Sequence, residues 1–157
     1  MTKCPHCLCD IDPEKGKPRS VEQLRRFFAM LRAMFSHWPE KVEFQPDSLE
    51  HLRKWVLCKA GHRDATDIPV AFAEDQPGLT KLAAIAIEAA IKAAGGFPFV
   101  RAHPDGGLVR VFKAKSIAFD KLGQAEFNRL NDEVELAYAS ETGLDPEQVL
   151  KESERAA

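Results

Sequence analysis

The sequence predicts an α+β fold: a helix-rich single domain with a small antiparallel β-hairpin or sheet and an N-terminal zinc-knuckle-like segment. Three observations predict it. Several stretches repeat apolar residues with a period near 3.6, which marks amphipathic helices. One turn sequence, Pro104-Asp105-Gly106-Gly107, separates two β-like runs. At the N-terminus, Cys4-Pro5-His6-Cys7 has the spacing of a metal-binding turn. The expected organisation is a Cys-rich knuckle and link over 1–18, then one α+β domain over 19–157. The 157 residues suffice for a core, since a chain of this length buries about two-thirds of its unfolded surface.

Ser20 is a good N-cap. After it, Val21, Leu24, Phe27, Phe28, Leu31, Met34, Phe35 and Trp38 form one apolar stripe, so the first helix runs to Pro39. Pro46-Asp47-Ser48 opens a second helix with Leu49, Leu52, Trp55 and Val56 facing inward, and Gly61 stands where a C-cap belongs. Ile68 to Phe72 is a short β-like run, which Pro69 restricts to a sheet edge or a strand start. Leu79 to Ala94 is alanine-rich and apolar nearly all round, which predicts a helix buried on most sides and closed by Gly95-Gly96. Phe97–Ala102 and Leu108–Lys113 flank the turn as a hairpin, which Ser116 to Phe119 would extend. A fourth helix spans about Leu122 to Ser140, with Phe127, Leu130, Val134 and Tyr138 inward and Gly143 as its stop. Asp145-Pro146 then starts a final short helix through about Glu152.

The net charge of −2 conceals an asymmetry. Residues 13–63 carry 11 Lys/Arg against 6 Asp/Glu, and residues 116–157 carry 4 against 10. Two solvated helical faces of opposite sign explain this blandly. The functional explanation is a basic half that meets an anion, most often nucleic acid. The longest apolar stretch, Leu82 to Ile91, is interrupted by Glu88 and too short for a bilayer. No basic-then-apolar leader precedes it, so the expectation is a cytoplasmic protein with no membrane contact.

Four cysteines in a cytoplasmic chain point to metal or plain thiols before disulfides. Two thiolates on a Cys-Pro-x-Cys turn fit two corners of a zinc tetrahedron. Cys58 and His62, at the end of the second helix, are the expected remaining ligands. The set Cys4, Cys7, Cys58 and His62 would be closed and therefore structural. Cys9 and His6 are rival ligands, and free thiols or redox chemistry are the alternatives to zinc.

Arg19, Arg25, Arg26 and Arg32 belong to the opening of the first helix, where guanidinium groups and unpaired amides both suit phosphate. Lys54, Lys59 and Arg63 follow from the second helix and its exit. These seven are the expected nucleic-acid contacts. The aromatics Phe27, Phe28 and Trp55 fit core faces, so base-stacking residues are not evident. Asp64, Asp67, Glu74 and Asp75 offer carboxylates for a Mg²⁺-dependent nuclease, but in a loop-rich stretch with no fixing spacing. No Walker loop, nucleophile elbow or zincin motif is present.

A further set of residues carries a resemblance: Arg19-Ser20-x-x-Gln23-x-Arg25, His51-Leu52-Arg53-Lys54-Trp55, Lys59-Ala60-Gly61-His62, Lys115-Ser116-Ile117-Ala118-Phe119, and Gln124-x-Glu126-Phe127-Asn128. Over roughly residues 17–150 the chain resembles a family of small uncharacterised proteins of tailed phages and prophages. The Arg-Ser-x-x-Gln opening is also similar, over about ten residues, to the NinB (Orf) recombination mediators of lambdoid phages. That second resemblance implies single-stranded DNA binding and recombinase loading; the Cys4 knuckle is not part of its pattern, and neither resemblance carries a catalytic residue. The expected function is thus a phage or prophage accessory protein of DNA replication or recombination. It binds single- or double-stranded DNA through basic helices and holds a structural zinc; the sequence does not fix whether it catalyses a reaction, and a metal-dependent nuclease is the lesser alternative. The competing expectation is a protein-interaction module that docks on a host or phage complex, for example in counter-defence.

Overall fold

The structure, a computed structural model, describes residues 20–118 and 122–157, together with the backbone of 2–3 and 10–11. Their elements are β1 (Thr2–Lys3), β2 (Asp10–Ile11), α1 (Val21–Ser36), α2 (Leu49–Lys59), β3 (Arg63–Pro69), a 3₁₀ turn (Ala71–Ala73), α3 (Pro77–Ala93), β4 (Phe99–Ala102), β5 (Leu108–Ala114), α4 (Gln124–Thr142) and α5 (Pro146–Ala156). The fold class is α+β, as expected. β1 and β2 pair antiparallel, Lys3 opposite Asp10. The knuckle residues Cys4, His6, Cys7 and Cys9, and Arg19, lie outside the described residues. No described helix is long and apolar enough to cross a membrane.

The chain forms two compact units that divide within α2: residues 1–52 with 116–157, and residues 53–115. In the first, α1, α4 and α5 pack together around Phe27, Leu31, Met34, Phe127, Leu130, Val134 and Tyr138. Phe27 meets Phe127 edge-on at 5.5 Å between ring centres. The capping chemistry read from the sequence is present. Ser20 accepts from the Gln23 amide, Asp145 accepts from the Glu147 amide with Pro146 in the first turn, and Gly143 closes α4 at φ 73°. The Tyr138 ring is fully buried against Trp38, and its hydroxyl has no hydrogen-bond partner among the described residues.

The second unit is a three-stranded antiparallel sheet in the order β3-β5-β4, with α3 on one face. Val70, Ala73 and Val109 form its buried centre, against Ala83, Ala84, Ile87 and Val100. The turn between β4 and β5 is anchored here. Gly106 and Gly107 both have positive φ, and a Cβ on Gly106 would sit 2.8 Å from the Gln76 nitrogen. The Gly107 amide donates to the Thr80 hydroxyl at 2.9 Å. That buried hydroxyl in turn lies within hydrogen-bond reach of the Ala73 and Gln76 carbonyls.

Two expectations are corrected. The strand expected at 68–72 runs instead over Arg63–Pro69, because residues 63–69 pair in unbroken register with β5. Pro69 ends an edge strand, where a missing amide costs little. α3 is not buried on most sides: Thr80 is its one buried residue, and Leu82 and Ile85 are 61% and 62% exposed. One sheet face covers only one helix face, whatever the composition of the other.

Candidate nucleic-acid interface

The pleat of the sheet sorts the second unit's side chains. Val109 and Val100 face α3, so residues at the alternate positions face the other way. Antiparallel register then arranges that second face in rows. Asp67, Arg110 and Arg101 form the first row, and Ala65, Phe112 and Phe99 the second. Arg63 and Ala114 form the third. Asp67, Ala65, Arg110 and Arg101 are exposed, and Phe99 and Phe112 are half-buried.

The first row is electrostatically uneven. Arg110 forks onto Asp67, with Nε to Oδ1 at 2.6 Å and Nη2 to Oδ2 at 2.8 Å. Those hydrogen bonds, and then the charge beside them, hold the Asp67 carboxyl below the usual carboxylate range and Arg110 above its ordinary value. On its other side Arg110 stands directly opposite Arg101. Like charges opposite one another destabilise a sheet. Among the described residues Arg101 has no charged partner.

In this unit cations lie over aromatic rings. The Arg63 guanidinium is 4.0 Å from the centre of Phe112, the Lys54 ammonium 4.9 Å from Phe97, and the Lys59 ammonium 5.2 Å from Trp55. Arg63 also donates to the Cys58 carbonyl at 3.0 Å, which fixes the guanidinium beside the end of α2. Where α3 turns into β4, Lys54, Phe97, Phe99, Phe112 and Lys113 line an apolar pocket of about 250 Å³. Its volume lies below the range for drug-sized ligands and suits one flat ring. Residues 53–115 carry ten Lys/Arg and six Asp/Glu, a charge of +4, and the rest of the chain carries twelve and eighteen, a charge of −6.

Lys54, Lys59 and Arg63 therefore belong to this aromatic and cationic cluster. Arg25, Arg26 and Arg32 lie on α1, in the other unit. Arg26 pairs with Glu147 of α5, so part of its charge is already answered. Arg25 and Arg32 are exposed and, among the described residues, without a charged partner. The sheet residues Arg101, Arg110, Phe99 and Phe112, and Phe97 just before β4, were not expected in a site. Their signal was the hairpin itself, because pairing Ala102 with Val109 across the turn sets Arg101 opposite Arg110 and Phe99 opposite Phe112.

The carboxylates expected for a nuclease are placed differently. Asp64 and Asp67 belong to β3, not to a loop, and three residues apart on a strand they face opposite sides. Asp64 pairs with Lys115 at 3.6 Å, and Asp67 with Arg110. Among the described residues no three metal-capable side chains converge.

Of the expected zinc ligands, Cys58 and His62 are described. Cys58 is buried in the last turn of α2, and burial pushes its thiol up to about 11, against a smaller opposing pull from Arg63. A proton held that firmly must leave for the sulfur to bind zinc. His62 follows the positive-φ Gly61, and its carbonyl accepts from the Lys115 amide at 3.1 Å.

Comparison with protein-family models, curated proteins and solved structures finds no match to this chain.

Proposed function

We propose that the chain binds single-stranded nucleic acid, and that the β3-β5-β4 face of the second unit carries the contact. One observation supports this above the others. A directly opposed Arg101–Arg110 pair lies next to a directly opposed Phe99–Phe112 pair, on the sheet face opposite α3. Guanidinium groups answer phosphates, and rings offer stacking surfaces to bases of any sequence. The duplex keeps its bases stacked on one another, so the aromatic row favours single strands. Lys54 and Arg63 extend the cationic surround. The chemistry calls for no catalytic residue, and the reading is of a binding protein, with an accessory role in phage DNA replication or recombination.

The test is a fluorescence-anisotropy titration with a labelled oligodeoxynucleotide, single-stranded and duplex, at two salt concentrations. Preferential single-strand binding that falls with salt and is lost in Arg101→Glu agrees with the proposal. Undiminished binding in Arg101→Glu, with loss in Arg25→Glu/Arg32→Glu, would move the contact to α1. No binding of either form at low salt would remove nucleic acid altogether.

A further inference from the structure

The uncovered side of α3 carries a second kind of surface, and it does not rest on the nucleic-acid reading. At 3.6 residues per turn, Gly78, Leu82, Ile85, Ala86, Ala89 and Ala93 fall on one stripe. All six are exposed. With Leu79 the stripe presents on the order of 450 Å² of apolar surface, the size at which a patch on a monomer is commonly functional. A solvated helix face ordinarily carries polar residues. Here the charges are confined to one border, where Lys81, Glu88 and Lys92 follow one another at seven- and four-residue spacing. The other border, at Leu79 and Ala90, is apolar.

We infer that this stripe pairs with the same stripe of a second copy, with the two α3 helices antiparallel about a two-fold axis beside Ile85. The charged border selects this occupant and this orientation. Reversing one helix brings like borders together, so Lys81 of each copy lies opposite Glu88 of the other, and the two-fold axis makes the contact twice. A parallel pairing would set that border against apolar Leu79 and Ala90 and strand its charges. Glu88 reaches Lys92 within its own helix at 3.1 Å, and Lys81 is the cation that the second copy can answer. Alanine and glycine along the stripe let two helices approach at the short end of the usual ~8–10 Å spacing, with Leu82 and Ile85 interdigitating at the centre. The patch is below the ~800 Å² per partner of a standard interface. The pair is therefore weak and concentration-dependent.

The experiment is sedimentation of the full chain from micromolar to near-millimolar concentration. The wild type passes from one chain to two. Ile85→Glu, at a 62% exposed position, weakens dimerisation at least tenfold and leaves the melting curve in place. Lys81→Glu weakens it several-fold, and Lys81→Glu with Glu88→Lys restores it. Orientation is read from cross-linking mapped by peptide mass analysis, which separates out links through the native cysteines. Ile85→Cys joins to itself, and Ala93→Cys, far from the axis, does not. A chain that stays single throughout overturns the inference, as does a dimer indifferent to Ile85→Glu. Self-linking of the Ala93→Cys variant as efficient as that of Ile85→Cys overturns the antiparallel arrangement.

Discussion

Replacing Phe112 with leucine separates stacking from charge on the sheet face. Stacking of a base on an aromatic side chain contributes about 1–3 kcal/mol. Arg63 already occupies one face of the Phe112 ring at 4.0 Å, so the low end applies. About 1.4 kcal/mol corresponds to a tenfold weaker Kd. The fold should survive, because leucine keeps most of the apolar volume, and altering the cross-strand pair with Phe99 costs about 0.2–1 kcal/mol. The assay is the single-strand titration repeated over a range of salt. Phe112→Leu removes no charge, so log Kd shifts by a constant while its dependence on log salt stays parallel to wild type. Arg101→Gln does the converse and reduces the slope by about 0.7, the share of one phosphate contact on a single strand. Wild-type affinity in Phe112→Leu, or a changed slope, would refute the assignment of the ring to base stacking.

Thr80→Val leaves the Gly107 amide without its acceptor, so thermal unfolding should report a loss of about 1–3 kcal/mol. Gly106→Ala should cost at least as much, since it combines a positive φ with a Cβ against backbone atoms of Ala73 and Gln76. Tyr138→Phe runs the other way: removing a buried hydroxyl with no partner among the described residues should raise stability by up to about 1 kcal/mol, read as a higher Tm. The Cys58 thiol keeps its proton in the fold up to about pH 11, against 9.0 ordinarily. Unfolding therefore releases a proton between those values, and stability present below pH 9 is lost as pH rises toward 11. For the zinc expectation, elemental analysis should give one zinc per chain, lost in Cys4→Ser and kept in Cys9→Ser. Zinc that survives Cys58→Ala with His62→Ala would exclude those two as ligands.

Local chemistry was legible wherever a few neighbouring residues decide the outcome. Ser20, Asp145 and Gly143 announce helix ends because a cap involves only the next three or four residues. Pro104-Asp105-Gly106-Gly107 announces the hairpin for the same reason. β3 was misplaced because its residues 63–69 read as polar: the strand is held by pairing with residues 108–114 of β5, far along the chain, and not by its own alternation. The buried face of α3 was overestimated because composition reports how much apolar surface exists and not how much the partner sheet can cover. The basic residues of the second helix and its exit are visible in the sequence, but the rings beneath them are not, since Phe97 and Phe112 reach Lys54 and Arg63 only through the fold.

By itself, then, the sequence determined an α+β class, the helices and their caps, the hairpin and its turn, and a surplus of cations over residues 13–63. The tertiary structure decided which cations share a unit, and it placed Arg101 opposite Arg110 and Phe99 opposite Phe112 on the sheet face away from α3. It also left the apolar stripe of α3 in solvent. The division follows from range. Caps and turns are settled by hydrogen bonds within a few residues, whereas a surface is made of side chains that strand register and helix packing bring together from distant parts of the chain.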